Sequence, residues 1–127
     1  MQEKHLYEYA VIRVVPRVER EEFMNVGVVL YCKKLQFLQT IIQLNVERLH
    51  AFSDKVEIDE VIANLCAFER ISEGVKQSGP IGKLDRAARF RWLTAARSTI
   101  IQTSKVHPGF CTDPKETLLK LFREQVL

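Results

Sequence analysis

Long apolar runs are missing from this sequence of 127 residues. The longest, such as 26–32, fall well short of the roughly 20 consecutive residues that a membrane-spanning helix needs. The first residues, Met-Gln-Glu-Lys-His, contain no apolar core followed by a small-residue cleavage site, so we expect no secretory signal. We therefore expect a cytoplasmic protein with no membrane segment.

Cysteine is scarce, and the spacing of the cysteines matches no paired motif. Cys32, Cys66 and Cys111 are odd in number and widely spaced, and no C-x-x-C occurs. This spacing indicates neither a disulfide framework nor a zinc ribbon, and we expect free thiols, no metal and no cofactor.

The common catalytic signatures are also missing. The sequence has no G-x-G-x-x-G, no P-loop, no G-x-S-x-G and no H-E-x-x-H. The usual nucleotide-binding, acyl-transfer and zinc-protease mechanisms therefore have no support, and a protein without enzymatic activity is favoured over an enzyme.

What is present is an ordinary globular composition, with 46% hydrophobic and 28% charged residues. A chain of this length buries about two-thirds of its unfolded surface, so we expect one domain over 1–127. The net charge of +3 is unevenly spread. The segment 83–107 contains six basic residues and one acidic residue, Asp85, so the rest of the chain is net acidic.

The first half of the chain predicts three strands, over 6–15, 24–32 and 35–44, because β-branched and apolar residues alternate there. Pro16 ends the first strand, and the last two form an antiparallel hairpin. Gly27 inside the second strand indicates a bulge or the close approach of another backbone or a ligand, and the interpretation we favour is the close packing of a helix on it.

The second half predicts mainly helices. A capping box of Asp54 and Glu57 begins a helix that runs to Glu73, and a second, basic helix covers 84–93. A fourth strand is predicted over 98–106, and the His107-Pro-Gly turn breaks it. Asp113, with proline at the next position, caps the last helix. The prediction is an α+β fold in two layers: a four-stranded, mainly antiparallel sheet with about three helices on one side.

The basic helix is the first candidate site. Arg86 and Arg89 lie three residues apart, Arg91 and Arg97 follow, and Trp92 stands between them. Arginine forks bind phosphates and an exposed tryptophan stacks on bases, so the segment suits a nucleic acid or a phosphorylated ligand. The competing interpretation is that Trp92 packs at the edge of the core and the arginines are simply solvated.

The second candidate lies around His107. A histidine beside Cys111 can act in acid-base or nucleophilic chemistry, and with Asp113 it offers metal-ligand types. Four residues and a proline-glycine turn separate His107 from Cys111, however, and no orienting acid is evident. Neither chemistry is favoured.

Several runs together resemble the bacterial DUF3037 family, over nearly the whole chain. They are Tyr9-Ala-Val-Ile-Arg-Val-Val-Pro16, Glu22-Phe-Met-Asn-Val-Gly-Val-Val-Leu30, Phe90-Arg-Trp-Leu-Thr94 with Arg97, and His107-Pro-Gly-Phe-Cys-Thr-Asp-Pro114. The resemblance implies no defined activity. Its members are often encoded beside a HipA-like kinase, which implies an accessory or regulatory partner of such a protein. The positions that match the family's recurring residues are Asn25, Gly27, Trp92, Arg97, His107 and Asp113.

Three functions follow as hypotheses. The first is a non-enzymatic protein that binds a protein partner, or a second copy of itself, through a sheet edge or an apolar surface. The second is binding of nucleic acid or a phosphate ligand through 83–105. The third is an enzyme that uses Arg97 and His107 on a phosphorylated substrate and needs both in one pocket.

Overall fold

A computed structural model describes residues 3–53, 56–75, 79–97 and 99–127. Its centre is an antiparallel sheet, which confirms the predicted α+β class. The strands are β1 (His5–Val14), β2 (Met24–Cys32), β3 (Phe37–Ile42), β4 (Ile101–Thr103) and β5 (His107–Cys111).

The helices connect and cover this sheet. They are α1 (Val46–Phe52), α2 (Ile58–Glu73), the single turn α3 (Gly79–Gly82), α4 (Arg86–Thr94) and α5 (Pro114–Gln125). The Asp113 side chain accepts hydrogen bonds from the backbone N–H groups of Lys115 and Glu116, which confirms the predicted cap of α5. Asp54, half of the predicted capping box, lies outside the described residues. None of the described helices is long and apolar enough to cross a membrane.

The sheet is built around β1. The strands lie in the order β3-β2-β1-β4, and β5 also pairs with β1. The predicted hairpin of β2 and β3 is confirmed, with Cys32 opposite Phe37 next to the turn. Every pairing is antiparallel.

The prediction that His107, Pro108 and Gly109 form a turn that breaks the fourth strand is wrong. These residues form β5 and pair with Tyr9, Glu8 and Tyr7 of β1. Proline is tolerated in an edge strand, which has a hydrogen-bonded neighbour on one side only. In the described part of the chain, β5 pairs with β1 alone. The predicted single strand over 98–106 is the shorter β4.

Ser104 lies between β4 and β5 and continues the hydrogen bonding of β1 there through Val11. Thr103 pairs with Ile12 and His107 with Tyr9, so the segment between them carries one residue more than β1. The backbone N–H of Ser104 donates to the carbonyl of Val11 (2.8 Å), and the Ser104 hydroxyl accepts from the N–H of Val11 (2.8 Å). A side chain thus replaces the missing backbone partner at the bulge.

We expect Ser104→Ala to lower the free energy of unfolding by about 1–3 kcal/mol, because the buried N–H of Val11 loses its acceptor. Urea denaturation of the purified chain measures this. The control is Thr112→Ala, at an exposed position. Equal stability of the two variants would contradict this role of the hydroxyl.

Gly27 lies at a bulge, and the three described atoms nearest to a Cβ at this position belong to Ile12, Ile41 and Ile42 and not to a helix, which was the favoured interpretation. Ile12 pairs with Gly27 whereas Arg13 pairs with Asn25, so Val26 is the extra residue. A Cβ at Gly27 would lie 2.5 Å from the carbonyl oxygen of Ile41 in β3. The close approach therefore comes from the backbone of the neighbouring strand.

Helices pack on one side of the sheet, as predicted, and bury the larger apolar cluster against it. That cluster includes Ile12, Val29 and Tyr31 from the sheet, Leu65 and Phe68 from α2, and Phe90 and Leu93 from α4. A smaller cluster joins Val28, Leu30 and Cys32 to Leu118 and Phe122 of α5. Successive residues of a strand point to opposite faces, so α5 lies on the reverse face and adds a partial third layer that was not predicted.

Candidate functional site

A groove opens on the face that α2 and α4 cover. It lies between α2, the end of α4, the segment after α4, and β4, and has a volume of about 490 Å³. Phe68, Ile71, Leu93 and Ile101 provide an apolar floor, and Glu60, Asn64, Gln102 and Thr103 contribute polar groups. A volume of this size falls within the usual range for small-molecule sites, about 300–1,000 Å³. We call this cavity the Trp92 groove.

Trp92 and Arg97 form one wall of the groove and hold each other in place. The guanidinium carbon of Arg97 lies 4.4 Å from the centre of the Trp92 ring, and Nη2 of Arg97 donates to the Trp92 carbonyl oxygen. Arg97 has no carboxylate partner among the described residues, whose ion pairs are Arg17–Glu19, Arg20–Glu22 and Lys120–Glu124. Trp92 and Arg97, which residue type alone indicated, are therefore in direct contact with each other.

Arg89, by contrast, has a structural role. Its Nη1 donates to the carbonyl oxygen of Leu84 (2.8 Å), and its guanidinium lies against the backbone of Gly74 at the end of α2. Burial, together with the nearby charge of Arg86, lowers the pKa of Arg89. Arg89 thus ties the start of α4 to the end of α2.

The remaining arginines do not complete a single basic surface. Arg86 and Arg91 are exposed, but five positions along a helix correspond to a rotation of roughly 140°. Arg97 follows the end of α4 and lines the Trp92 groove. The structure therefore brings Arg97 to Trp92, keeps Arg86 close to Arg89, and places Arg91 on a different side of α4.

His107 and Cys111 do not meet. They lie four positions apart on the extended strand β5, which places their Cα atoms roughly 13 Å apart. The His107 ring instead packs on Tyr9, with the ring centres 5.4 Å apart. Burial and the neighbouring Cys32 thiol raise the pKa of Cys111, which disfavours the reactive thiolate. In the described part of the chain, no cluster of histidine, cysteine and acidic residues could hold a metal ion.

His107 and Arg97 lie on opposite sides of the sheet. Tyr9, on which His107 packs, borders the smaller cluster beneath α5. The floor of the Trp92 groove belongs to the larger cluster on the other face. No single pocket brings these two residues together.

Asn25 fastens the end of α5 to the sheet. Its Nδ2 donates to the carbonyl oxygen of Gln125 (3.0 Å). Its Oδ1 is buried, and no hydrogen-bond partner for it lies among the described residues. The position next to a helix end explains why a polar side chain occurs in a strand where apolar residues dominate.

An exposed apolar face lies at the edge of the sheet, and the hypothesis of a sheet edge or apolar surface did not name its residues. Phe110 of β5 is 70% exposed and pairs directly with Leu6 of β1, which is 53% exposed. By the alternation of β1, Leu6 shares the face of Ala10 and Ile12, but there the helices do not cover it. We call this pair the Leu6–Phe110 face. The sequence predicts the strand β1. It predicts a turn where β5 lies, so it does not show which residues form this edge of the sheet.

Comparison with known proteins places the chain in a family. A family model described as "Protein of unknown function (DUF3037)" matches residues 9–126, which is nearly the whole chain. The chain belongs to the DUF3037 family. The match includes the Trp92 groove, all of β5 and most of β1, but it begins after Leu6. Neither a curated protein nor a solved structure matches this DUF3037 chain.

Proposed function

We propose that this DUF3037 protein binds another cytoplasmic protein, without catalysing a reaction, through the Leu6–Phe110 face. The observation that supports this is the exposure of Phe110, a large aromatic side chain on a strand at the sheet edge. A phenylalanine buries about 150–250 Å² when it is covered, so leaving it in water is unfavourable unless a partner covers it. Because Leu6 and Phe110 are direct ladder partners, they expose one contiguous apolar patch, and contiguous apolar patches mark interaction sites more often than single exposed residues do.

The partner is held mainly by side chains. Pro108 in β5 has no N–H to offer to an added strand, so a full backbone ladder along this edge is not available. Apolar side chains that pack on Leu6 and Phe110 supply the contact instead. Aromatic residues of this kind dominate the energetics of many protein interfaces.

The partner that family resemblance supports is a HipA-like kinase, with this chain as an accessory or regulatory subunit. A second copy of the chain is the alternative occupant of the same face. The two partners are distinguished by light scattering coupled to size-exclusion chromatography, run on the chain alone and on its mixture with the HipA-like kinase of the same organism.

We expect Phe110→Ser to weaken the complex by roughly 30-fold, because it removes the central apolar contact. Isothermal titration calorimetry measures the affinity. The matched control is Leu119→Ser on α5, which changes a side chain that is also exposed (39%) but lies away from this face. Equal losses in both variants, or no complex with either partner, would contradict the proposal.

Nucleic-acid binding predicts a different result. Affinity for short DNA or RNA would fall steeply with salt, because each phosphate contact releases bound counterions. Because Arg86 and Arg91 lie on different sides of α4, we expect no more than a shallow salt dependence. A steep dependence that the double variant Arg86→Ala/Arg97→Ala abolishes, with Arg89 kept for its structural role, would favour the nucleic-acid function over protein binding.

A further inference from the structure

The Trp92 groove has the features of a small-molecule site that is separate from the partner surface. We infer that it binds a small amphiphilic anion, a molecule with one carboxylate or phosphate group and a short apolar body. This site goes beyond the proposed partner binding and does not depend on it, because the groove and the Leu6–Phe110 face use different residues.

The anionic group is indicated by Arg97. Among the described lining residues Arg97 is the one cation, and it has no carboxylate partner there. Its side chain is already fixed by the Trp92 ring and the Trp92 carbonyl oxygen. A fixed guanidinium loses little conformational entropy when it binds an oxyanion, and its planar fork matches a carboxylate or a phosphate.

The apolar body is indicated by the floor of the groove. Phe68, Ile71, Leu93 and Ile101 all belong to the larger cluster, yet they also line the cavity. A short hydrocarbon chain on this floor removes apolar surface from water.

Two features restrict the charge of the ligand. Glu60 also lines the groove, so a second negative group near it would be repelled. Asn64 and Thr103 can hydrogen-bond polar substituents without adding charge. The site therefore suits a ligand with one anionic group better than a polyanion such as a nucleic acid.

The test uses the fluorescence of Trp92, which is the sole tryptophan of the chain and therefore reports on the groove alone. The full chain is titrated with hexanoate, hexyl phosphate, inorganic phosphate and 1-hexanol at constant ionic strength. We expect hexanoate or hexyl phosphate to give a saturable change, with a Kd at least about tenfold below those of inorganic phosphate and 1-hexanol. The better of the two amphiphiles identifies the anionic group as carboxylate or phosphate.

The variants test the role of Arg97. We expect Arg97→Gln to raise the Kd at least about tenfold and Arg97→Lys to raise it less, because lysine keeps the charge but loses the fork. Arg91→Gln, an exposed arginine of α4 outside the groove, should leave the Kd unchanged. Calorimetric titration repeats the measurement, since Arg97 also affects Trp92 emission, and thermal melting confirms that each variant is folded.

Three results would overturn the inference. They are the lack of a saturable response to both amphiphiles, binding of 1-hexanol or inorganic phosphate as tight as that of the better amphiphile, and an unchanged Kd in Arg97→Gln.

Discussion

Gly27→Ala should lower the free energy of unfolding by about 3 kcal/mol or more. The new Cβ would lie 2.5 Å from the carbonyl oxygen of Ile41 and 3.0 Å from Cγ1 of Ile42. A backbone oxygen cannot rotate away as a side chain does, so β3 must move and its ladder with β2 is disturbed. Urea denaturation followed by far-UV circular dichroism measures the loss.

The control for Gly27 is Gly79→Ala. No atom of the described residues lies within 4 Å of a Cβ at Gly79, but its φ of +77° is strained for alanine, so we expect a cost of about 1–2 kcal/mol. A loss at Gly27 no larger than the loss at Gly79 would show that the close approach of Ile41 does not constrain the sheet.

Leu118→Ala should lower the free energy of unfolding by about 3 kcal/mol. Leu118 is fully buried between α5 and the reverse face of β2, and truncation leaves a cavity that the rigid sheet cannot fill. Chemical denaturation measures the change.

The neighbouring residue is a matched control, since Leu119→Ala makes the same substitution in the same helix. Leu119 is 39% exposed, and we expect a loss below about 1 kcal/mol. Similar losses at both positions would contradict the packing of α5 on the reverse face.

Local signals in the sequence were sufficient where one short-range interaction decides the structure. The cap at Asp113 depends on residues within three positions, and β2 follows from its own run of β-branched and apolar residues, which are buried on both faces. The start of β5 at His107 was missed because pairing with a strand about a hundred positions earlier overrides the local preference of proline and glycine for turns. Such long-range pairing leaves no mark in the segment itself.

The candidate sites also combine local features, which the sequence predicts, with long-range features, which it does not. Trp92 and Arg97 were both indicated by residue type, but their contact depends on how the chain turns after α4. The separation of Arg97 from His107 depends on which face of the sheet each residue occupies. The strand register sets those faces, and composition does not reveal it.

The Leu6–Phe110 face could not be predicted for a further reason. Leu6 and Phe110 are residue types usually buried in a core, and only the extent of the helices leaves them uncovered. From sequence alone, an apolar residue on an interaction surface cannot be distinguished from an apolar residue of the core.

The pairing of β1 with β4 and β5 has a consequence for how the chain acquires its structure. During synthesis β1 is made well before its partners at Ile101–Thr103 and His107–Cys111. Until these are made, one side of β1 lacks its native partners. Contacts between residues so distant in sequence also slow folding, because a long loop must close first. We therefore expect the nascent chain to be most prone to aggregation before β5 is complete.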